Sequence, residues 1–230
     1  RQRQMCIRDR KEGDTSSIVE LFRLLRTNLQ FLLTAKDSKV VLLTSSVSGE
    51  GKSFISINLA MSLSLLNKKV VLVGLDIRNP RLMDYMKVRS KIGMTSYLAS
   101  NSMTESEIIV PSTYSPNLDV IFSGPIPPNP SELLLSDRLD HLFAYLREQY
   151  DYVIVDSAPV GMVSDTFSLM RITDATLYVC RANYTHKDHI MYVNELVATN
   201  KLKNVALVIN GTTARQGYGY GYGAHMQKKK

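Results

Sequence analysis

The sequence predicts an α/β fold, a mostly parallel sheet flanked by helices on both faces. Three observations point to it. From Asp14 onward, short apolar runs alternate with stretches of helical period, the pattern of strands joined by helical crossovers. One such run, Tyr152-Val153-Ile154-Val155, is apolar without alternation, as suits a strand buried on both faces. Two of the runs end in a carboxylate, Asp76 and Asp156, and in a parallel sheet the strand C-termini share the edge where ligands bind.

The first helix is expected to start with Ser17 as N-cap and Glu20 three residues on, a capping-box spacing. Ile18, Leu21, Phe22, Leu25, Leu29 and Leu32 follow its apolar period. Strands are expected at 39–44, 70–75, 118–122, 152–156, 175–180 and 204–209, with helices near 53–66, 130–149, 165–172 and 186–200. The helix near 130 has Asn129 as N-cap, Pro130 at the first helical position and Glu132 in the first turn.

With 230 residues the chain forms one large domain, long enough to need no disulfide or metal staple. Residues 1–13 read as a non-native or disordered segment, since RQRQMCIRDR has no structural period; if the segment is non-native, the chain is expected to be a C-terminal fragment of a longer one. Residues 14–210 read as the folded domain and 211–230 as a flexible tail rich in tyrosine and lysine. The apolar runs are strand-sized, far short of the roughly 20 residues of a membrane span. Cys6 and Cys180 are too few for a secreted disulfide framework and fit a reducing cytosol.

The formal net charge of +7 invites a nucleic-acid reading. Residues 1–11 contribute +4 and Lys228, Lys229 and Lys230 contribute +3, which leaves 12–227 neutral. A DNA-binding face needs its surplus of Lys and Arg on the domain itself, so no specific nucleic-acid partner is expected.

Ser46-Val47-Ser48-Gly49-Glu50-Gly51-Lys52-Ser53 follows an apolar strand and opens a helix, the context of a phosphate-binding loop. Glycine lets backbone N–H groups approach phosphate oxygens at a helix N-terminus. Lys52 would reach the terminal phosphates and the Ser53 hydroxyl would ligate Mg²⁺. Ser46 stands where the usual loop has its first glycine. Asp76 and Asp156 arrive at the same edge, and Mg²⁺ takes one or two carboxylates with water and phosphate oxygens.

These residues resemble a particular family. SSVSGEGKS, VVLVGLDIRNPRL and YDYVIVDSAPVG, in this order and spacing, are similar to the bacterial tyrosine kinases of capsular and exopolysaccharide export. So are the proline-rich turn Gly124-Pro125-Ile126-Pro127-Pro128-Asn129-Pro130, the spacing Glu20-x-x-Arg23-x-x-Arg26, and the tail Gly217-Tyr218-Gly219-Tyr220-Gly221-Tyr222-Gly223.

The resemblance implies a P-loop NTPase fold of the partition and septum-site ATPase type, and transfer of the ATP γ-phosphoryl group to tyrosine. Tyr218, Tyr220 and Tyr222 would be acceptors, chiefly in trans. Ser48, Gly49, Glu50, Gly51, Lys52, Ser53 and Phe54 carry over as the nucleotide loop, Ser53, Asp76 and Asp156 as Mg²⁺ ligands, and Lys52 and Asp76 as catalytic residues. Asn210 is the candidate for adenine. Gly74 replaces the first carboxylate of the family's Asp-x-Asp, which leaves Asp76 to receive or orient the tyrosine proton.

Implied partners are further copies of the chain in a ring, a membrane-embedded polysaccharide co-polymerase domain and a tyrosine phosphatase. The implied location is the cytoplasmic face of the bacterial plasma membrane. Glu20, Arg23 and Arg26 fall opposite the apolar stripe of the first helix, and the resemblance makes them a subunit contact. Tyr218 lies seven residues past Gly211, a reach of roughly 23 Å when extended. Tyr85, Tyr145, Tyr150 and Tyr178 are expected to pack rather than to accept phosphate. The alternative reading is a switch ATPase of the partition and septum-site type. That class carries an extra lysine where Val47 stands, and it has no need of a tyrosine cluster. A nucleotide-binding ring module without catalysis is the third reading, and Gly74 is its support.

Overall fold

The computed structural model describes residues 17–35 and 37–212. A seven-stranded sheet in the order β3-β4-β2-β5-β1-β6-β7 forms its centre. The strands are β1 (Val40–Ser45), β2 (Val70–Leu75), β3 (Val110–Pro111), β4 (Leu118–Ile121), β5 (Tyr152–Ser157), β6 (Ala175–Arg181) and β7 (Val205–Asn210). Every neighbouring pair is parallel except β3 with β4. The central strands β1 and β2 are buried along their whole length, which is why their sequences show no polar alternation.

Helices cover both faces. On one side α1 (Ser17–Leu32), α2 (Lys52–Ser64) and α3 (Leu82–Met86) pack through Phe22, Leu29, Ile55, Leu59, Leu63 and Met86. On the other, α4 (Met94–Ala99), α5 (Pro130–Leu134), α6 (Asp137–Gln149), α7 (Asp165–Ser168) and α8 (Lys187–Ala198) complete the layer. Tyr97, Leu134, Leu142, Leu146 and Val193 supply its core contacts. Burial of each such large apolar side chain is worth about 1.5–3 kcal/mol.

The six expected strands are present within one residue at each end. The antiparallel β3 has no run of its own in the sequence, being two residues long with Pro111 at the sheet edge, where proline costs no ladder bond. The helix expected over 130–149 divides in two, because Ser136 adopts an extended backbone as N-cap of α6 and its hydroxyl donates to the Leu133 carbonyl at 2.8 Å. Pro130 follows the N-cap Asn129 as read from the sequence. The stretch after α7 tightens to a 3₁₀ turn at Leu169–Arg171. Ser17 is already helical, so the cap of α1 precedes the described residues. No helix among the described residues is long and apolar enough to cross a membrane.

At the N-terminal edge of the sheet, Asp174 accepts the backbone N–H groups of Lys39 and Val40, both at 2.8 Å, and a bidentate pair from Arg147 at 2.7 and 2.9 Å. This fixes β1 at the edge opposite the candidate site.

Candidate functional site

The loop between β1 and α2 carries residues 46–51. Gly49 and Gly51 have φ of +87° and +101°, the left-handed region. A Cβ on Gly51 would stand 2.1 Å from Asn210 Nδ2, so glycine is needed there twice over. Ser46 has no positive φ among the described residues, which explains why serine is tolerated at the position of a usual glycine. It is fully buried, and its hydroxyl lies 2.8 Å from that of Tyr178.

Glu50 is fully buried and holds the loop in shape. Its carboxylate accepts the Val47 N–H at 2.9 Å and the Thr185 hydroxyl, and its carbonyl accepts Asn210 Nδ2 at 2.8 Å. The segment after β6 clamps the same loop from outside. Arg181 donates to the Gly49 carbonyl at 3.0 Å, and Tyr184 donates to the Ser48 carbonyl at 3.0 Å with its ring 5.0 Å from the Arg181 guanidinium. Arg181, Tyr184 and Thr185 were not among the residues expected from the sequence. Their place at or just past the C-terminal end of the buried parallel strand β6 is the signal that marks them.

Lys52 opens α2 and is buried, while Ser53 beside it hydrogen-bonds Asp156. Phe54 turns its ring away onto Phe22 of α1, 6.1 Å between centroids, so only its backbone can face a ligand of the loop.

Asp156 pairs in register with Leu43 on one side and Gly74 on the other, which places it between the loop and the end of β2. Burial pushes its carboxyl up to about 6, against the pull of Ser53 and Lys52. The Ser56 hydroxyl donates to the Lys52 carbonyl at 2.9 Å and lies 3.3 Å from Asp156 Oδ1.

Asp76 sits one residue past β2, where its N–H donates to the Asp156 carbonyl at 3.0 Å. Burial raises this carboxyl too, opposed by the Asn79 N–H and Lys52. The Asp76 loop is pinned by Arg78, whose guanidinium meets Asp165 at 2.5 and 3.2 Å and Ser131 at 3.1 Å. Burial alone would raise Asp165, but the bonds from Arg78 and Ser131 hold it below the usual carboxylate range.

Gly74 has a structural reason. A Cβ there would lie 2.8 Å from Ser123 Oγ and 3.0 Å from Leu82 Cδ1, and the Ser123 hydroxyl is itself bound to the Gly74 carbonyl at 3.0 Å.

The structure thus brings Lys52, Ser53, Asp76 and Asp156 to one edge, with Ser48, Gly49, Glu50, Gly51 and Asn210 around them. Of the three residues expected at a subunit contact, Arg26 reaches α2 and donates to the Ser62 carbonyl at 2.6 Å. Glu20 and Arg23 are ion-paired with each other on the surface, and Leu21, read as core-facing, is 59 % exposed. Tyr150 and Tyr178 are buried and Tyr85 and Tyr145 pack against the two cores. Cys180 is a buried free thiol. Tyr218, Tyr220 and Tyr222 lie outside the described residues.

Residues 38–209 match the family model described as an AAA domain. Tyrosine-protein kinase YwqD of Bacillus subtilis is 35 % identical over 203 residues, 88 % of this chain and 85 % of the relative. Among solved structures, the kinase domain of Escherichia coli tyrosine kinase ETK matches with a TM-score of 0.80 at 29 % identity, covering 89 % of this chain and 80 % of that one. The septum site-determining protein MinD of Pyrococcus horikoshii, at 17 % identity, shares the fold with a TM-score of 0.61, covering 77 % and 73 % of the two chains. On the family model and on the identity and coverage of the YwqD match, the chain belongs to the bacterial tyrosine-protein kinases, built on an AAA domain.

Proposed function

We propose that this tyrosine kinase transfers the γ-phosphoryl group of ATP to Tyr218, Tyr220 and Tyr222 of a neighbouring copy. The observation that carries the proposal is the placing of Asp76 and Asp156 beside Lys52 and Ser53, at the edge from which the chain departs after β7. Residues 14–210 would form the kinase domain and 211–230 the acceptor tail.

In this reading the backbone of Ser48 to Phe54 cradles the phosphates and Lys52 neutralises their charge. Asn210 fixes the loop through Glu50 and contacts the adenine beside it. Burial disfavours the ionised form of both carboxylates, and a hard divalent cation would offset that cost. Ser53, Asp76 and Asp156 would hold Mg²⁺, which neutralises phosphate charge when bound. The tyrosine oxygen forms its bond to the γ-phosphorus as the bond to the ADP oxygen breaks, and the tyrosine proton passes to Asp76. Phosphoryl transfer has a loose transition state, so a single carboxylate suffices where the site positions and neutralises well.

The wider setting follows from the resemblance. The chain would assemble as a ring at the inner face of the bacterial plasma membrane, with Glu20, Arg23 and Arg26 at the contact. A membrane-embedded co-polymerase would activate it and a tyrosine phosphatase reverse it, in the control of capsular or exopolysaccharide synthesis and export. A switch ATPase of the same fold is not favoured, since curated relatives of nearly equal length are tyrosine-protein kinases.

The test is phosphate incorporation by the purified chain with ATP and Mg²⁺, mapped by mass spectrometry. Phosphotyrosine on the tail that vanishes in Lys52→Met supports the proposal, as does its loss in the triple Tyr218, Tyr220 and Tyr222→Phe variant. ATP hydrolysis with unmodified tyrosines, in the presence of the membrane activator, would overturn it.

A further inference from the structure

Among the described residues, no strand pairs with the outer edge of β7. Thr176 N–H donates to the Asn204 carbonyl and Ala182 N–H to the Asn210 carbonyl, at 3.1 and 2.9 Å. In a parallel ladder the residues facing a neighbour alternate. The even-numbered residues of β7 therefore face β6, and Val205, Leu207 and Ile209 direct their N–H and C=O groups outward.

The same three residues share one face of the sheet. Val205 packs on the core beneath α8, while Leu207 and Ile209 are 51 % and 64 % exposed. An open edge with an apolar face is the template for an added strand, and soluble proteins rarely leave one uncovered.

The chain supplies a fitting occupant. Immediately past β7, Gly211 takes φ of +72°, a conformation that turns the backbone off the strand direction. The sequence then reaches Gly217-Tyr218-Gly219-Tyr220-Gly221-Tyr222-Gly223. Tyrosine at every second position is the period of a strand and sets all three rings on one face.

We propose that this segment of the chain's own tail pairs antiparallel with β7, with Tyr218 opposite Ile209, Tyr220 opposite Leu207 and Tyr222 opposite Val205. The connection is then residues 210–217, eight residues that begin at the Gly211 turn. In this register each tyrosine exchanges two backbone hydrogen bonds with an outward-facing residue of β7, and the rings of Tyr218 and Tyr220 cover the exposed Ile209 and Leu207 side chains. A register one residue away would place the rings on the opposite face, over Ala206 and Val208. The tail is favoured over that of a second copy because its tether holds it at an effective concentration in the millimolar range.

Glycine at alternate positions weakens the added strand, so the docked and released tails are close in free energy. A phosphate adds a charge of nearly −2 and cannot rest on the apolar face, so modification releases the tail. On the kinase reading, docking stores the unmodified acceptors away from a neighbour's site; the docking itself does not depend on that reading.

Amide hydrogen exchange of the full chain without nucleotide tests the proposal. Exchange at Leu207 and Ile209 is expected to be about tenfold or more slower than in Tyr220→Pro, which removes a pairing N–H from the tail and leaves the folded domain untouched. Gln216→Pro, in the connection, should keep the protection. Equal exchange in the parent chain and Tyr220→Pro would overturn the proposal, and so would loss of protection in Gln216→Pro. Protection that disappears on dilution would also overturn it, assigning the edge to the tail of a second copy.

Discussion

The hydroxyl of Tyr184 donates to the carbonyl of Ser48 at 3.0 Å, so the segment after β6 holds the phosphate loop from outside. Arg181 does the same one residue further along, at the Gly49 carbonyl. The loop is thus pre-shaped by the neighbouring strand end before any phosphate arrives. Pre-shaping cuts the ordering cost of binding. Removal of one neutral hydrogen bond of this kind costs about 1 kcal/mol. In Tyr184→Phe the KM for ATP is expected to rise about fivefold with kcat nearly unchanged, as steady-state kinetics at varied ATP would show. A fall in kcat with KM constant would place Tyr184 in the chemical step instead.

Glu50 has a larger effect, because it is buried and accepts from two donors. Glu50→Ala leaves the half-buried Val47 N–H and Thr185 hydroxyl without the carboxylate acceptor, at about 1 kcal/mol for each hydrogen bond. Thermal unfolding should show a lowered Tm, and nucleotide titration should show ATP binding lost. Glu50→Gln retains one acceptor oxygen and should fall between. An unchanged Tm in Glu50→Ala would mean that water replaces the carboxylate.

The contrast between these residues and the strands shows what the sequence carries. Val70 to Leu75 and Tyr152 to Ser157 declare themselves because burial on both faces demands an unbroken apolar run. Lys52, Ser53, Asp76 and Asp156 are legible because strand direction and loop position place them together. Tyr184, Arg181 and Thr185 are not, since their partners are backbone carbonyls and a carboxylate more than 130 residues away in the chain. The hydrogen bond of Arg26 is hidden for a related reason. Its helical angle is that of a solvated face, yet a long side chain reaches past the stripe to the Ser62 carbonyl. The short α3 and α4 have too few turns for a readable period.

Gly74 is open to a direct test. A Cβ at 2.8 Å from the bound Ser123 hydroxyl forces a shift in a side chain that is already engaged. Gly74→Asp is expected to destabilise the protein by about 1–3 kcal/mol and to lower the Tm. Ser123→Ala in the same chain removes the nearest atom and should recover at least half of the loss, although the Ser123 N–H remains at 3.2 Å. A double-mutant cycle of thermal melts measures that coupling. Additive effects would show that Leu82 or the added carboxylate, rather than Ser123, sets the cost.

Asp156 links stability to pH through its burial. Its carboxyl titrates near 3.8 in the unfolded chain and is raised to about 6 in the fold. Between these values the folded state binds more protons than the unfolded one. The contribution to stability is therefore complete below about 3.8 and is lost as pH rises through about 6. Above that window the fold carries a buried charge, opposed only in part by Ser53 and Lys52. Asp156→Asn removes the charge, so without Mg²⁺ and nucleotide the variant should melt higher than the parent at pH 7.5. Its stability should also vary less with pH between 4 and 6. With Mg²⁺ and ATP the order should reverse, because the parent gains the stability of the bound ligands and the variant lacks a carboxylate to hold the cation. Phosphotransfer by the parent should rise with pH toward a plateau above about 6 as the carboxyl ionises. Melting curves on both proteins, with and without Mg²⁺ and ATP, check this. A parent that already melts higher than Asp156→Asn without ligands would show that Ser53 and Lys52 stabilise the carboxylate more than burial disfavours it.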